Sequence, residues 1–309
     1  MIVAVLGANG QLGSDILRLA AARDGEFKTL ALTRKDLDVC DLSSIPAVLS
    51  KFQFEVLVNC TSYHKTDEVE EHATEAFRIN AHAVAALAKA CKSRNARFVQ
   101  ISTDYVFDGT SRRPYVETDS ASPMNVYGSS KLLGERLALR EHVEGTLIAR
   151  VASLFGVAGS SGKGGNFVET ILRKAKETGE VRVVNDITMS PTSTADAARL
   201  ILTLLEKDAP VGIYHVVNSG SATWFEFARQ IVEGAGVRAK VVPMMSEAHP
   251  TVAIRPSYTV LDNRKTSQTI GEIPKWEHAL RQYLLDKNNL QRARFDPHAA
   301  RKQTNLVRG

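Results

Sequence analysis

The first half of the chain alternates short apolar runs with longer segments of helical spacing, and this alternation limits the fold more than any other feature. Short apolar runs of this kind are typical of strands buried on both faces of a parallel sheet. The pattern therefore predicts an α/β fold with a doubly wound parallel sheet. The predicted strands are Ile2–Leu6, Thr29–Leu32, Val56–Cys60, Phe98–Ile101 and Thr146–Val151. The predicted helices are Gln11–Ala22, Glu75–Lys92 and Tyr127–Arg140.

Beyond Val151 the alternation becomes less regular. Strand-like Val181–Val184 and Gly212–Val217 flank a helical segment, Thr194–Lys207, which predicts that the chain returns to the sheet before it leaves again. The resulting boundaries are 1–152 and 181–217 for the sheet domain, 153–180 and 218–287 for a smaller C-terminal lobe that would bind substrate, and 288–309 for a basic tail. The tail is polar and aperiodic, so we expect it to be loosely held.

Charge and cysteine content exclude several classes of protein. A net charge of +5 over 309 residues, with acids and bases interspersed, does not favour nucleic-acid binding. Cys40, Cys60 and Cys91 lie far apart without metal-ligand spacing, which predicts reduced thiols and no metal site. No apolar run approaches the roughly 20 residues that span a bilayer, so we expect no membrane association and a cytoplasmic location.

The segment after the first strand has the pattern of a phosphate-binding turn. Gly7, Gly10 and Gly13 are spaced G-x-x-G-x-x-G, between a strand and the start of a helix. Glycine permits the tight turn and lets the backbone approach a pyrophosphate, whose charge suits a helix N-terminus. The turn, including Gln11 and Leu12, therefore predicts a Rossmann dinucleotide site.

The end of the second strand bears on the choice of cofactor. An acidic residue there would bind the ribose 2′-hydroxyl, but this chain has Thr33-Arg34-Lys35. Two cations and a hydroxyl favour a 2′-phosphate, and hence NADPH, with NADH as the alternative. A solvated loop would also explain Arg34 and Lys35. Asp41 and Leu42, shortly after, could lie beside the adenine.

Tyr127 and Lys131 stand four residues apart in N-V-Y-G-S-S-K, on one face of a predicted helix. A tyrosine that transfers a proton is expected to need a pKa below its usual value of about 10, and a nearby ammonium would lower it. Thr103 follows the strand Phe98–Ile101, where a hydroxyl could bind a substrate carbonyl. Each feature alone is common, but the three in this order predict a nicotinamide-dependent carbonyl reductase.

Longer strings extend this pattern to about Leu285, in order along the chain. They are G-A-N-G-Q-L-G, V-N-C-T-S-Y-H-K-T-D-E-V-E, S-T-D-Y-V-F-D-G-T, Y-V-E-T-D-S-A-S-P-M-N-V-Y-G-S-S-K-L-L-G-E, G-G-N-F-V, P-T-S-T-A-D and R-P-S-Y-T-V-L-D. In these strings the chain resembles the dTDP-4-dehydrorhamnose reductase family of the extended short-chain dehydrogenase/reductases. The resemblance implies an NADPH-dependent reductase of the 4-keto group of a nucleotide-linked 4-keto-6-deoxyhexose, in deoxysugar synthesis.

The resemblance also implies roles for individual residues. Tyr127 would be the proton donor, Lys131 its partner and a ligand of the nicotinamide ribose, and Thr103 the residue that binds the C4 oxygen. Gly10, Gln11 and Leu12 would line the pyrophosphate, and Thr61, Ser62 and Tyr63 would follow the cofactor. The implied substrate contacts are Thr103, Asp104, Ser153 and Asn166. Arg255 and Lys163 are candidate cations for the substrate's diphosphate, and a solvated surface would explain each of them equally well.

Several positions leave alternatives open. Asn80 either lies near the active site or is a polar residue inside a helix that bonds a loop. His64 and Lys65 replace residues common in the family, and His64 could shape the substrate pocket or lie on the surface. Ser153 stands where well-known members have a tryptophan, so an aromatic contact to substrate is lost there.

Two other functions share part of this pattern. A sugar-nucleotide epimerase of the same superfamily would have the same turn, tyrosine and lysine, but would cause no net oxidation. Proteins that resemble this family also serve as non-catalytic regulatory subunits of methionine adenosyltransferase. The intact set of Thr103, Tyr127 and Lys131 favours catalysis. Helices of this superfamily often pair subunits, so a homodimer is expected by analogy.

Overall fold

The structure is a computed structural model that describes residues 1–23, 25–159 and 165–295. Its strands are β1 Ile2–Leu6, β2 Lys28–Leu32, β3 Val56–Asn59, β4 Arg97–Thr103, β5 Thr146–Val151, β6 Leu154–Phe155, β7 Glu180–Val184, β8 Thr188–Met189, β9 Thr192–Ser193, β10 Gly212–His215, β11 Ala222–Thr223 and β12 Lys240–Met244. Its α-helices are α1 Gln11–Ala21, α2 Ile45–Leu49, α3 Glu68–Glu71, α4 Ala73–Phe77, α5 Ala83–Lys92, α6 Val126–Glu141, α7 Phe167–Thr178, α8 Thr194–Glu206, α9 Trp224–Gly234, α10 Arg264–Ile270 and α11 Trp276–Phe295. A π-helical turn spans Arg78–His82, and 3₁₀ turns span Asp104–Val106 and Ser246–Ala248.

Six parallel strands form the central sheet in the order β10-β5-β4-β3-β1-β2. Successive side chains of a strand point to opposite faces, so each strand contributes to two cores. Val3 and Val5 pack with α1 and α8 on one face, and Ala4 and Leu6 pack with α2 and α5 on the other. This confirms the predicted doubly wound α/β fold.

The chain reverses its direction of travel across the sheet at β1, which lies between β2 and β3. In open parallel sheets, ligands bind beyond the carboxyl ends of the strands at such a switch point. The glycine turn follows β1, and Thr61 follows β3 after one residue. The topology therefore brings the predicted cofactor segments to one edge of the sheet.

The smaller lobe has a core of its own beside this edge. Phe155, Phe227 and Trp276 are buried in it, together with apolar residues of α7, α9 and α11. Helices α7 and α9 both begin with capping boxes, at Asn166 and Thr223, which fix where each helix starts.

The prediction that residues 181–217 return as a block to the central sheet is wrong for its first strand. β7 pairs in parallel with β12 of the lobe, and only β10 joins the central sheet, beside β5. The sequence of β7, E-V-R-V-V, alternates exposed and buried residues, as a strand with one solvated face does. Such a strand does not suit a sheet covered on both faces.

Two other expectations need correction. The predicted single helix Glu75–Lys92 is divided, because the π-helical turn lies between α4 and α5. The predicted tail does not begin at residue 288, since α11 continues to Phe295, and residues 296–309 lie outside the described ranges. In the described part of the chain, no helix combines the length and apolar character needed to cross a bilayer.

Candidate active site

The glycine turn is tightly folded against its own backbone. Gly7 has a φ of +82°, and its N–H donates to the carbonyl of Leu32 at 2.9 Å, which ties the turn to the end of β2. A Cβ at Gly13 would lie 2.4 Å from the Gly7 carbonyl oxygen. Only glycine fits there, because backbone cannot move aside as a side chain can.

Helix α1 begins at Gln11 with Gly10 as its N-cap residue, and no side chain caps it. Its first N–H groups therefore lack a side-chain partner at the point where the helix dipole is positive. A pyrophosphate would satisfy both conditions, and Gly10 at the start of the helix has no Cβ to obstruct it. The residues present fit a dinucleotide cofactor.

The loop after β3 is held by buried amides. Thr61 donates through Oγ1 to Asn59 Oδ1 at 2.6 Å, and Asn80 Oδ1 accepts hydrogen bonds from Ser62 Oγ at 3.1 Å and from the Tyr63 N–H at 2.9 Å. Asn80 Nδ2 donates to Ser130 Oγ on α6 at 3.0 Å. Of the two alternatives for Asn80, the structure supports the second, a polar residue inside a helix that hydrogen-bonds a loop. The π-helical turn positions Asn80 against that loop.

The helix that bears Tyr127 starts at a defined position. Asn125 caps α6, since its Oδ1 accepts the Gly128 N–H at 2.8 Å. A Cβ at Gly128 would lie 2.1 Å from the Tyr105 carbonyl oxygen, so α6 approaches the turn after β4 very closely. The Tyr105 and Tyr127 rings meet edge to face, with centroids 6.0 Å apart. The phenol of Tyr127 thus lies beside the carboxyl end of β4.

Burial dominates the ionisation of Tyr127 and Lys131. It raises the pKa of Tyr127 to about 12, against the smaller opposite effect of hydrogen bonds with the Thr103 and Ser62 side chains. It lowers the pKa of Lys131 to about 8. The expectation that Lys131 brings the pKa of Tyr127 below its usual value is therefore wrong for the cofactor-free protein. A phenol that keeps its proton at neutral pH is suited to act as an acid.

The substrate-side groups near the end of β4 are also linked. Thr103 Oγ1 donates to Asp104 Oδ1 at 3.0 Å and accepts the Tyr105 N–H at 3.2 Å. Burial raises the pKa of Asp104 to about 6, although hydrogen bonds lower it in part. A threonine hydroxyl can rotate, so Thr103 can donate to a ligand oxygen instead.

These groups line one cleft of about 580 Å³ between the sheet edge and the smaller lobe. Parallel strands bring their carboxyl ends together, which explains why segments so distant in sequence meet. The predicted residues that line it are Gly10, Gln11, Leu12, Gly13, Thr61, Ser62, His64, Thr103, Asp104, Tyr127, Lys131, Ser153, Asn166 and Arg255.

Other predicted cofactor residues lie outside this cleft. Thr33 and Arg34 follow β2 beside the glycine turn, where Asp36 binds Thr33 and Asp38 binds Arg34, at 2.8 and 3.2 Å. Their contact with a 2′-phosphate stays a prediction, as do the roles of Gly7, Asp41, Leu42 and Tyr63. Tyr63 directs its hydroxyl to Glu68 at 2.7 Å, and Lys65 pairs with the same carboxylate at 2.8 Å.

The predicted substrate residues differ in how far their side chains are already engaged by contacts within the protein. Ser153 has a φ of +42°, a strained conformation for serine, between β5 and β6. Asn166 is committed to its capping box and to the Gly156 carbonyl at 2.9 Å. Arg255 pairs with Asp67 at 2.7 Å and keeps 30% of its side chain exposed. Lys163 lies outside the described residues.

Sequence reasoning missed five aromatic residues of the cleft, which are Tyr105, Phe155, Phe167, Trp224 and Phe227. Tyr105 follows Asp104 directly and could have been inferred from the same sequence block. Phe167 and Trp224 are the first residues of α7 and α9, and their ring centroids are 4.5 Å apart. Nothing local in the sequence indicates that these two rings meet, because their proximity depends on how the lobe folds.

The geometry of turn, hydroxyls, phenol and amine is that of a reductase cleft, and comparison with known proteins agrees. The family model described as RmlD substrate binding domain matches residues 1–289. The chain belongs to this family. This membership confirms the predicted resemblance to dTDP-4-dehydrorhamnose reductases.

Individual members of the RmlD family are similar over nearly their full length. The spore coat polysaccharide biosynthesis protein SpsK of Bacillus subtilis is 35% identical over 287 residues, which cover 93% of this chain and 98% of that protein. A dTDP-4-keto-6-deoxy-D-glucose reductase of Streptomyces niveus is 36% identical, with 90% and 94% covered. The structure of dTDP-4-dehydrorhamnose reductase from Bacillus anthracis in complex with NADP has a TM-score of 0.85 at 33% identity, with 92% and 99% covered.

Proposed function

We propose that the protein is an NADPH-dependent reductase that converts the 4-keto group of a nucleotide-linked 4-keto-6-deoxyhexose to a hydroxyl. The observation that carries this proposal is the single cleft in which an uncapped helix N-terminus, Thr103, Tyr127 and Lys131 meet. Relatives that match 90% or more of the chain are named as reductases of such sugars, and one of them was solved in complex with NADP. The proposal includes a cytoplasmic location and a homodimer.

Bound NADPH would supply the hydride for the carbonyl carbon. Negative charge then develops on the carbonyl oxygen, where Thr103 and Tyr127 donate hydrogen bonds. Tyr127 protonates that oxygen as general acid, and its high pKa in the cofactor-free protein ensures that the proton is present. The Lys131 ammonium, one helical turn away, makes the phenolate less unfavourable until solvent restores its proton.

A second cavity gives room for the rest of the substrate. Its volume is about 1000 Å³, it lies in the lobe, and it shares Phe167, Trp224 and Arg255 with the catalytic cleft. The rings provide apolar surface and Arg255 a cation, which suit a sugar and a diphosphate. The nucleotide would extend from the junction of the two cavities into the lobe.

A panel of 4-keto sugar nucleotides tests the function. With its substrate the protein should oxidise one NADPH for each 4-keto group that is reduced. Sugar-nucleotide conversion without net oxidation of NADPH would indicate an epimerase instead. Tight NADPH binding without turnover of any member of the panel would contradict the proposed activity and favour a binding subunit.

The cofactor preference depends on Arg34, which is 79% exposed and shares its charge with Asp38. We expect Arg34→Ala to weaken NADPH binding about tenfold, because one charge-assisted hydrogen bond to the 2′-phosphate is lost at an exposed position. NADH lacks that phosphate, so its affinity should not change. Fluorescence titration with both cofactors measures the ratio.

Asp38→Asn is the matched variant for this prediction, since it releases Arg34 from its ion pair. Its NADPH affinity should stay equal or increase. If Arg34→Ala changed the affinities of NADPH and NADH by the same factor, Arg34 would not read the phosphate.

Arg255 should act on substrate affinity rather than on chemistry. For Arg255→Met we expect KM for the sugar nucleotide to rise about tenfold or more, since a cation facing the diphosphate is lost. Cofactor affinity should be unchanged and kcat nearly so. Steady-state kinetics at saturating NADPH separate these constants.

Asp67→Asn removes the carboxylate that pairs with Arg255 and leaves the guanidinium in place. This variant should have an equal or lower KM. An increase in KM of the same size in both variants would mean that the Asp67–Arg255 pair only holds the loop in place.

A further inference from the structure

A buried ion pair lies behind Lys131, and the roles proposed above do not use it. Glu135 and Arg150 are only 2% and 3% exposed. Arg150 contacts both carboxylate oxygens of Glu135, through Nη2 at 2.7 Å and Nε at 2.9 Å. Ser102 Oγ donates a third hydrogen bond to the same carboxylate. Charged donors of this kind are typical partners of an ionised carboxylate.

The topology aligns this pair with the catalytic residues. Tyr127, Lys131 and Glu135 follow one another at intervals of four on α6, so they lie along one helix face. Ser102 and Arg150 are partners in the register of β4 and β5, beneath that face. The two strands therefore present Ser102 and Arg150 to Glu135, one helical turn beyond Lys131.

Lys131 needs a compensating charge. It is 3% exposed, and its Nζ donates to the Ile101 carbonyl at 2.6 Å. Burial is the main cause that lowers its pKa, and the negative charge of Glu135 is the largest influence that raises it. Cys60, after β3, is a second titratable group that acts on Lys131, and burial raises the pKa of its thiol to about 12.

Stability alone does not explain a buried pair at this place. Replacing a buried ion pair by apolar residues of similar size is often neutral or stabilising, so the charges of Glu135 and Arg150 are weak evidence for a structural role. Together, Glu135, Arg150 and Lys131 carry one net positive charge beside the cleft. Without Glu135 two cations would share one buried region.

We propose that Glu135 is a positioning residue that keeps the Lys131 amine in its protonated form, and that the two hydrogen bonds from Arg150 hold the Glu135 carboxylate in place. The consequence for turnover rests on the proposed reductase function. The effect on the Lys131 amine is independent of it.

Lysine labelled with ¹³C at Cε allows the amine to be titrated directly in the intact protein, with no cofactor or substrate. Lys131→Arg identifies the resonance by its loss. In Glu135→Gln we expect the Lys131 pKa to fall by at least about one unit, which is a tenfold loss of proton affinity. An unchanged pKa would overturn the proposal, whatever the protein catalyses.

Ser102→Ala is the matched control, because it disturbs the same buried group without removing a charge. It should lower the melting temperature and leave the Lys131 titration in place. An equal shift in Ser102→Ala and Glu135→Gln would mean that packing is responsible. If Glu135→Gln does not fold, Glu135→Gln with Arg150→Met removes both charges together, and the pKa should still fall, although by less, because the repulsion from Arg150 is lost as well.

The kinetic readout is the alkaline limb of kcat/KM against pH. In Glu135→Gln this limb should move to lower pH, so that the loss of activity is about fivefold near pH 8, approaches tenfold above pH 9 and is much smaller near pH 6. Glu135→Asp keeps the charge and should restore most of the profile. A loss of activity that is the same at every pH would indicate a structural role only.

Discussion

Tyr127→Phe should reduce turnover by at least about two orders of magnitude, since the variant has no proton to give to the developing alkoxide. The ring remains, and with it the edge-to-face contact with Tyr105. NADPH affinity should therefore stay near that of the unchanged protein. Single-turnover oxidation of NADPH, followed by its absorbance, measures the chemical step, and fluorescence titration measures affinity.

The control for this prediction is Tyr214→Phe on β10. It deletes a buried tyrosine hydroxyl, and with it the hydrogen bond that this hydroxyl donates to the Pro210 carbonyl. This variant should lose some stability and retain full turnover. Near-normal turnover in Tyr127→Phe would remove the phenol from the mechanism and leave Thr103 as the group that polarises the carbonyl.

Local sequence patterns were sufficient for the elements that build the sheet. β1 and β5 have the predicted bounds, because β1 is an uninterrupted apolar run and β5 is apolar except at Thr146 and Arg150. Thr103, Tyr127 and Lys131 were also predicted, and they line one cleft because parallel strands end at the same edge. For these residues chain order and strand direction determine position.

Patterns of the same kind failed where a partner lies far away in the chain. The sequence of β7 is typical of a strand, but its pairing with β12 depends on how the 55 residues between them, 185–239, fold. The π-helical turn at Asn80 is likewise set by tertiary contact, since the Asn80 carbonyl approaches Gly134 so closely that a Cβ there would lie 2.1 Å away. Neither feature has a local signature.

Electrostatics were the least predictable part of the site. A tyrosine and a lysine four residues apart suggest that the ammonium lowers the phenol pKa, yet burial is the largest influence on both groups and raises the pKa of Tyr127. The sequence does not reveal how much water reaches a side chain. It also gave no reason to connect Glu135 with Arg150, although both stand in apolar surroundings where a charge needs a partner.

Lys131→Met should lower turnover about a hundredfold and also weaken NADPH binding, in contrast to Tyr127→Phe. The loss of turnover follows because no cation remains beside the phenolate. The loss of affinity follows because the proposed donor to the nicotinamide ribose is gone. Lys265→Met is the matched control, since Lys265 also donates to a strand carbonyl, that of Ile213, but lies at the outer strand β10.

The pH dependence of NADPH binding provides a second test of the role of Lys131, because the direction of the change can be predicted. Burial lowers the pKa of Lys131 to about 8 in the free protein, so the amine is charged below that pH and loses its proton above it. A cofactor that prefers the ammonium must bind less tightly as pH rises through 8. By linkage, its binding near that pH must be accompanied by a net uptake of protons. In Lys131→Met this alkaline loss of affinity should vanish, while titration of the cofactor phosphate near pH 6 remains common to both proteins. An alkaline loss of equal size in the variant would show that another group titrates, and the amine would then have no role in holding the cofactor.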